Sequence, residues 1–493
     1  MVNFNKAKKR MDCKALILSL VMGGFCLNAS AQKVVFDFGG KVTDPSGKGI
    51  SGVVVNDGIH FTKTDAQGAW SLVSDTTLSK FVSISVPASC VLPQQDGLAN
   101  NYYISVRALA QTGGKHDFVL EKRDQTEESF HYIAISDPQV RNADQMKRWR
   151  QETVPDLKEV IDSLKQSREV VAMTLGDLVW DNMPLFDEYR ESVKNTGAVF
   201  FQCIGNHDFD KQYQDLHNMA KGTPVYGEMV YGRYFGPTDY SFNIGKAHVV
   251  TMKDINYVGG KQYVESLTGQ QLEWLKNDLN YVPKGSLVIL NLHAPVWNKV
   301  SPGGNVRNAN ALKEVLKDYR VHVFSGHTHF FQNNEVTPTL YEHNIGAACG
   351  GWWSGWVNQC GAPNGYMVVD VDGTDVKWHY KATRRNFAYQ FRVYKKGEFT
   401  AQSSFVVANV WDWDSACRVV WYQDGKPMGD MEQFIGSDEE RASQLKKRSD
   451  AEPTAHLFRA MPSDGAKQIK IEFTNRFGEV YTQTINSKNT YFF

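Results

Sequence analysis

Eight residues with oxygen or imidazole donors fall in five short motifs of the 493-residue chain: Asp137 and Gln139 in "SDPQ", Asp177 in "LGDLVWD", Asn206 and His207 in "IGNHDF", His293 in "NLHAP", and His327 and His329 in "SGHTH". None of these donors is a thiol. A set of carboxylate, amide and imidazole groups suits Mn²⁺, Fe, Zn²⁺ or Mg²⁺. If the motifs converge, one carboxylate can bridge two ions about 3.5–4 Å apart, the spacing of two-metal hydrolytic sites. The first motif also poses a question. Pro138 stops a strand because it cannot donate to a sheet ladder, but that does not explain an acid and an amide two residues apart at the tip.

The elements that must position these groups are visible around them. "FHYIAISD", "VVAMTLGD", "VFFQCIGNHD", "AHVVTMKD", "SLVILNLHAP" and "VHVFSGHTH" are continuous apolar runs, each ending in polar residues. Apolar strands alternating with helical stretches predict an α/β domain with strands buried on both faces. Ligand-binding groups in such sheets gather beyond the carboxyl ends of the strands, so the motifs are candidates for a single site. One helix is well marked: in "TGQQLEWLKNDL", Thr268 and Gln271 form a capping box, and Leu272, Leu275 and Leu279 share one face.

In this order and with these residues, the five motifs resemble the calcineurin-like metallophosphoesterase superfamily, whose pattern is D-x-H, G-D-x-x-D, G-N-H-[DE], a lone His and G-H-x-H. The resemblance covers about residues 130 to 375. It implies an αββα sandwich, two divalent or trivalent ions (Mn, Fe, Zn or Mg) and hydrolysis of phosphate esters, mono- or diesters alike. On that pattern Asp137 and His329 hold the first ion, Asp177 bridges, and Asn206, His293 and His327 hold the second. His207 acts on the phosphoryl group, and a bridging hydroxide attacks phosphorus in line. The chain departs from the pattern twice. Gln139 stands where the family has His; its carbonyl oxygen can still ligate, as a harder donor. Asp181 follows Asp177 by four residues rather than three, so Asp208 competes with it as the partner of His207.

Around this domain the pattern changes. Residues 32–123 carry short alternating runs between Asp-Pro-Ser-Gly, Asn-Asp-Gly and Asp-Ala-Gln-Gly turns, the signature of a small β-sandwich. They resemble the carboxypeptidase-regulatory-like, transthyretin-like modules of secreted bacterial proteins. A charged stretch, "EKRDQTEES", links them to a central domain at 127–378, and the module is expected to be dispensable for chemistry. Residues 379–493 read as a second β-rich domain, with "GSDEERASQLKKRSD" as a solvated helix or loop. The fold class is therefore α/β with flanking all-β domains.

Residues 1–31 combine five basic residues, an apolar run and Ala29-Ser30-Ala31, which reads as a signal peptide cleaved near Ala31 with no lipid anchor. They hold five of the 54 Lys/Arg and one of the 54 Asp/Glu, so removing them leaves 49 and 53 and a net charge of −4. Neither sign dominates, so nothing argues for nucleic acid or an anionic membrane as partner. No later stretch is apolar enough to span a bilayer. The expected location is periplasmic or secreted. Five cysteines remain, too few and of odd number for a disulfide scaffold; Cys349 and Cys360 are the one pair considered.

Outside the motifs, His248 and His322 lie within apolar strands and read as structural. Trp352, Trp353 and Trp356 stand in a glycine-rich loop and either line a substrate pocket or pack between domains. Arg307 can grip phosphate as a fork or be solvated. The leading function is a metal-dependent phosphoester hydrolase. The alternative is a relative impaired by Gln139 that binds a glycan or protein through its β domains. A serine hydrolase is set aside because no G-x-S-x-G is present.

Overall fold

The computed structural model describes residues 35–125, 127–211, 227–259, 261–300 and 305–486. The expected signal peptide lies outside the described residues.

Two sheets form the centre. The first runs in the order Asp375–Ala382, Gly365–Asp372, Ser129–Ile135, Val170–Leu175, Val199–Cys203, Leu98–Ala99, Gln94–Gln95. The second runs Tyr240–Ile244, Ala247–Thr251, Leu287–Asn291, Arg320–Ser325, Leu340–Asn344, Gln332–Thr337. The strands that precede the motifs are parallel neighbours within each sheet, so their carboxyl ends come out on one side.

Alternation along each strand divides the core. Tyr132 and Ala134 face inward with Met173, Ile289 and Phe324 of neighbouring strands and the opposite sheet, and the Tyr132 hydroxyl donates to Asn291 Oδ1 across the layer at 2.5 Å. Ile133 and Ile135 face outward and pack with Leu157 and Ile161 of helix Val154–Leu164. On the far side, Trp274, Leu275 and Leu279 of helix Gly269–Leu279 close over the second sheet. That helix begins with the expected capping box, Thr268 Oγ1 accepting from Gln271 N at 3.2 Å, a device worth about 1 kcal/mol. The result is the αββα sandwich.

Both flanks are β-structures, and one boundary, the C-terminal one, differs from the sequence reading. The N-terminal module packs a three-stranded sheet on a four-stranded one. It is not a bead on a linker: its strand Leu98–Ala99 pairs with Phe200 and extends the first central sheet, and Tyr102, Val82 and Ile84 share one core with Phe201, Tyr240 and Phe242. At the other end, strand Asp375–Ala382 belongs to the central sheet, so the boundary expected at residue 378 falls inside a strand. Beyond it, two four-stranded sheets enclose Val406, Ala408, Trp421, Phe458, Ile471 and Phe473. "GSDEERASQLKKRSD" is not solvated throughout. Asp438 caps helix Glu439–Gln444, and Asp438 and Arg441 are buried.

Candidate metal centre

The five motifs converge because their loops are sewn together by backbone. Gln139 N donates to Asp177 O at 2.7 Å and Trp180 N to Val140 O at 2.9 Å, joining the first two strand ends. Gly326 N donates to His293 O at 2.8 Å, joining the fourth and fifth. Cys349 N donates to Asp137 O at 3.2 Å and Ala348 N to Ser136 O at 2.7 Å, so the tryptophan loop is tied to the first.

Glycine makes the close approach possible. A Cβ on Gly205 would overlap the Asp177 carboxylate, one on Gly326 would overlap Ser136, and one on Gly176 would come within 2.5 Å of His293 Nδ1. The motif residues themselves take up the sharp turns. Asp137 (φ 47°), Gln139 (41°), Asp177 (51°), His327 (68°) and His329 (55°) all sit in the left-handed region, where non-glycine residues cost of order 1–3 kcal/mol and concentrate at working sites.

Asp177 lies at the centre. One donor atom each from Asp177, His293 and His327 falls within 4.8 Å of the others. His293 donates Nδ1–H to Leu175 O at 2.7 Å, which leaves Nε2 facing Asn206 Oδ1 at 3.0 Å and Asp177 Oδ1 at 3.4 Å. Fixing one ring nitrogen on a carbonyl so that the other is presented is the usual way a metal-binding imidazole is held. His329 is held in the same manner, Nδ1 on Gly350 O at 2.5 Å, with Nε2 3.6 Å from Asp137 Oδ1. That Asp137 oxygen is buried and has no hydrogen-bond partner, while Oδ2 accepts from His327 N at 2.9 Å. A buried carboxylate oxygen left without a hydrogen bond is costly; beside an inward-facing imidazole nitrogen, it fits a cation.

The electrostatics agree. Burial raises the Asp177 carboxyl, but His293 and His207 outweigh it and hold it far below the carboxylate range. Burial works against protonation of His293, yet Asp177 pushes it up to about 10. Two ionisable groups this tightly paired form a site preset for charge.

Gln139 answers the opening question in part. It is buried at the centre, but it aims Nε2 at Asp177 Oδ2, 2.8 Å away, and its Oε1 takes the weak S–H bond of Cys349 at 3.7 Å. An amide nitrogen has no lone pair for a cation, so ligation by Gln139 requires a half-turn of its amide.

His207 stands on the open side. Its backbone N donates to Asp177 Oδ1 at 2.8 Å and its Nδ1 lies 3.1 Å from Asp181 Oδ1, with Lys211 Nζ also on Asp181 at 2.7 Å. The longer spacing of "GDLVWD" therefore does not prevent Asp181 from reaching His207. Asp208 does not compete. It accepts from Gly205 N at 2.9 Å and Val179 N at 3.2 Å, tying the turn from beneath, and burial together with the Asp177 charge pushes it up to about 8.

The pair of tryptophans expected beside the site splits. Trp352 lies against the His329 ring at 4.9 Å and is 38% exposed. Trp353 turns inward, donates Nε1–H to Pro138 O at 2.9 Å and lies under Arg148, so it braces the first strand end. Trp356 also lies under Arg148 and stays exposed. Arg307 is exposed, with its backbone N on Glu265 O at 3.0 Å; Glu265 Oε1 in turn lies 3.6 Å from His327 Nε2. Cys349 and Cys360 are both free. His248 is bound by Asn243 and Asp278, and His322 by His343, all away from the motifs. The sequence reading missed Trp180, whose ring lies 4.8 Å from His207, although it stands inside "LGDLVWD". It also missed Glu265 and Tyr263, which come from a hairpin with no motif of its own.

This arrangement of strand-end acids, amides and imidazoles on a two-sheet sandwich defines a metallophosphoesterase-type centre. Sequence models agree: "Calcineurin-like phosphoesterase" matches residues 130–331, "N terminal of Calcineurin-like phosphoesterase" residues 37–123, and "C terminal of Calcineurin-like phosphoesterase" residues 342–481. The chain belongs to the calcineurin-like phosphoesterases. Among solved structures it is similar to a dimetal phosphatase from Danio rerio, with 13% identity over 51% of this chain and 96% of that one and a TM-score of 0.35. It is also similar to GAP50, the anchor in the inner membrane complex of Plasmodium, with 12% identity over 52% and 86% and a TM-score of 0.38. A third is the 5'-nucleotidase from Candida albicans, with 10% identity over 52% of each chain and a TM-score of 0.32. Likenesses this remote carry no argument about substrate. No curated protein matches the chain. No helix of the described residues is long and apolar enough to cross a membrane.

Proposed function

We propose that the protein is a metal-dependent phosphoester hydrolase with a dinuclear centre. Asp137, His329 and, after the half-turn of its amide, Gln139 hold one ion. Asn206, His293 and His327 hold the other, and Asp177 is shared. When bound, the ions neutralise phosphoryl charge and lower the pKa of coordinated water toward neutrality. The chain's own groups supply the rest. Asp181 orients the His207 ring, and His207 is placed to stabilise the phosphoryl group or protonate the leaving oxygen. Trp352 borders the space where the ester's organic part lies. Arg307, exposed on the opposite flank, is a candidate grip for phosphate. Export follows from the opening 31 residues, read as a cleaved leader.

The observation that carries this reading is the buried Asp137 Oδ1, which has no hydrogen bond and faces His329 Nε2 at 3.6 Å, alongside the Asp177, His293 and His327 cluster. The binding-module alternative draws support only from the present direction of the Gln139 amide. Elemental analysis with turnover of aryl phosphate mono- and diesters tests both. Asp177→Asn is expected to lose most bound metal and nearly all turnover, and Gln139→Ala to lose less, because a shared carboxylate gives charge to both ions whereas one amide oxygen serves one. Equal metal content in wild type and Asp177→Asn would refute the shared role of Asp177.

A further inference from the structure

Two tryptophans meet over the centre. Trp180 and Trp352 have ring centroids 6.3 Å apart at an interplanar angle of 53°. Trp180 lies 4.8 Å from the ring of His207, and Trp352 lies 4.9 Å from the ring of His329. The two indoles come from different strand-end loops and form a partly exposed corner beside the histidine that faces the phosphoryl position. The Arg141 guanidinium lies 5.4 Å from the Trp180 ring and is exposed.

Nothing in folding calls for this corner. Trp352 keeps 38% of its surface in solvent, so it forfeits much of the gain that burying an indole brings. It also holds φ at 56°, where a bulky side chain is an outlier. The loop is built to keep it there. Gly351 and Gly355 leave space taken by Arg441 and Gln444, since a Cβ on either glycine would strike those side chains. Arg441, 3% exposed, donates Nε–H to Gln359 Oε1 at 2.8 Å and fixes the far end of the loop. Trp353, next in sequence and also at positive φ, is anchored on Pro138 O. A strained, braced and exposed indole at the mouth of a site is held for a ligand.

The geometry selects the ligand. At 6.3 Å the two rings stand too close for a third ring to slide between them in parallel. A corner of about half a right angle instead lets a flat ring stack on one indole and meet the edge of the other, the two arrangements aromatic pairs favour. We infer that Trp180 and Trp352 receive a planar aromatic group on the ester's leaving side, so that the substrate class is phosphate esters of alcohols bearing an aromatic ring, with Arg141 at the rim for a polar or anionic substituent on that ring. This rests on the hydrolase reading above for the position of the phosphate. Aryl-methyl alcohols and nucleosides share the required flat π-face.

The test compares benzylphosphonate with cyclohexylmethylphosphonate, which match in charge and size but differ in planarity. Binding to the full chain loaded with Mn²⁺ is measured by calorimetry, in wild type, Trp352→Leu and Trp180→Leu. Wild type is expected to favour the benzyl compound by about threefold to tenfold, the worth of one or two aromatic contacts, and either variant to bring that ratio close to one. An exposed Trp352 makes unfolding of its variant a minor concern, and an unchanged melting temperature checks it. Equal binding of the two phosphonates by wild type, failure to bind either, or a preference that survives in both variants would overturn the inference. Turnover of benzyl and cyclohexylmethyl phosphates keeps the two readings apart. A benzyl preference in binding without hydrolysis of either ester rejects the hydrolase and retains the corner. Hydrolysis of both with equal kcat/KM retains the hydrolase and rejects the corner. A nucleoside 5′-monophosphate in the same titration separates the nucleoside source from the simple aryl one, expected to exceed benzylphosphonate if Arg141 engages the base and to lose that excess in Arg141→Ala.

Discussion

The two flanking β domains share an architecture of paired sheets and differ in what they touch. The N-terminal module meets the central sandwich along its edges. Leu98 pairs with Phe200, Val86 bridges to Phe242, Asn56 Oδ1 accepts from Trp274 Nε1 at 3.1 Å, and Tyr102 packs on Phe201 and Tyr240. Of these contacts, those to Phe200 and Phe201 lie on Val199–Cys203, the strand that leads to Asn206 and His207, and the others lie on strand Tyr240–Ile244 and helix Gly269–Leu279. None lies at the strand ends where the motif residues gather. The C-terminal domain reaches the loop that carries Trp352, through the wedge of Asp438 and Arg441 against Gly361, Gly351 and Gln359. One flank thus adds to the edges of the scaffold and the other touches the loop that carries Trp352. An architecture is not a role; the contacts made at the interface decide it.

The comparison breaks most readily at Tyr102. This side chain is buried among Phe201, Tyr240 and Tyr103, and truncating a buried aromatic costs about 3–5 kcal/mol. Tyr102→Ala is expected to lower the urea midpoint steeply while the fraction that remains folded keeps the wild-type KM. A changed KM at normal stability would mean that the N-terminal flank also shapes the site.

Arg441→Ala is the matching probe of the other flank. It strips the partner from Gln359 and opens space beside Gly351, so the stability loss is expected to be smaller, about 1–3 kcal/mol. The functional loss is expected to be selective: KM for an aromatic ester rises several-fold and metal content holds. A parallel fall in metal content would show that the wedge supports the ligands rather than the tryptophan loop.

The difference between the flanks explains what the sequence disclosed. Motif residues are legible because their chemistry and their glycines are local; "IGNHDF" carries both the ligand candidate and the Gly205 that lets Asp177 approach. The capping box at Thr268 is legible for the same reason. Asp208 misled because it adjoins His207 in sequence while its carboxylate turns under the backbone at Gly205 and Val179, a direction that spacing does not encode. The Asp438 and Arg441 wedge was hidden more deeply. A run of charged residues reads as solvated, and only the partners brought from some 80 residues away, Gln359 and the glycines beside it, make burial of an arginine tolerable. Trp180 stood in plain view, but its importance comes from Trp352, which arrives from a different loop.

The smallest effect expected is the share of acid sensitivity that one histidine adds in the C-terminal flank. His456 is buried, its Nδ1 lies 2.7 Å from Asn409 Oδ1, and its Nε2 has no partner. Asn409 Nδ2 donates to Asp438 Oδ2 at 2.7 Å, so the imidazole stands at the root of the wedge. Burial holds its pKa down to about 3, against an ordinary value near 6.5. Above pH 6.5 both the folded and unfolded chains carry it neutral and its contribution is constant. As pH falls below 6.5 the unfolded chain takes up a proton that the folded domain refuses, so stability drops and continues to drop toward pH 3. One unit below, at pH 5.5, the loss is about 1.4 kcal/mol. Denaturant melts of wild type and His456→Asn at pH 7.5 and 5.5 read it directly: the asparagine amide can keep the bond to Asn409 and cannot titrate, so the variant, whatever its absolute stability, is expected to lose that share of the pH slope. An undiminished slope in the variant would place the acid sensitivity elsewhere. If the wedge does shape the mouth, the acid weakening of wild type also raises KM for an aromatic ester before the chain unfolds, and the variant at pH 5.5 does not show that rise.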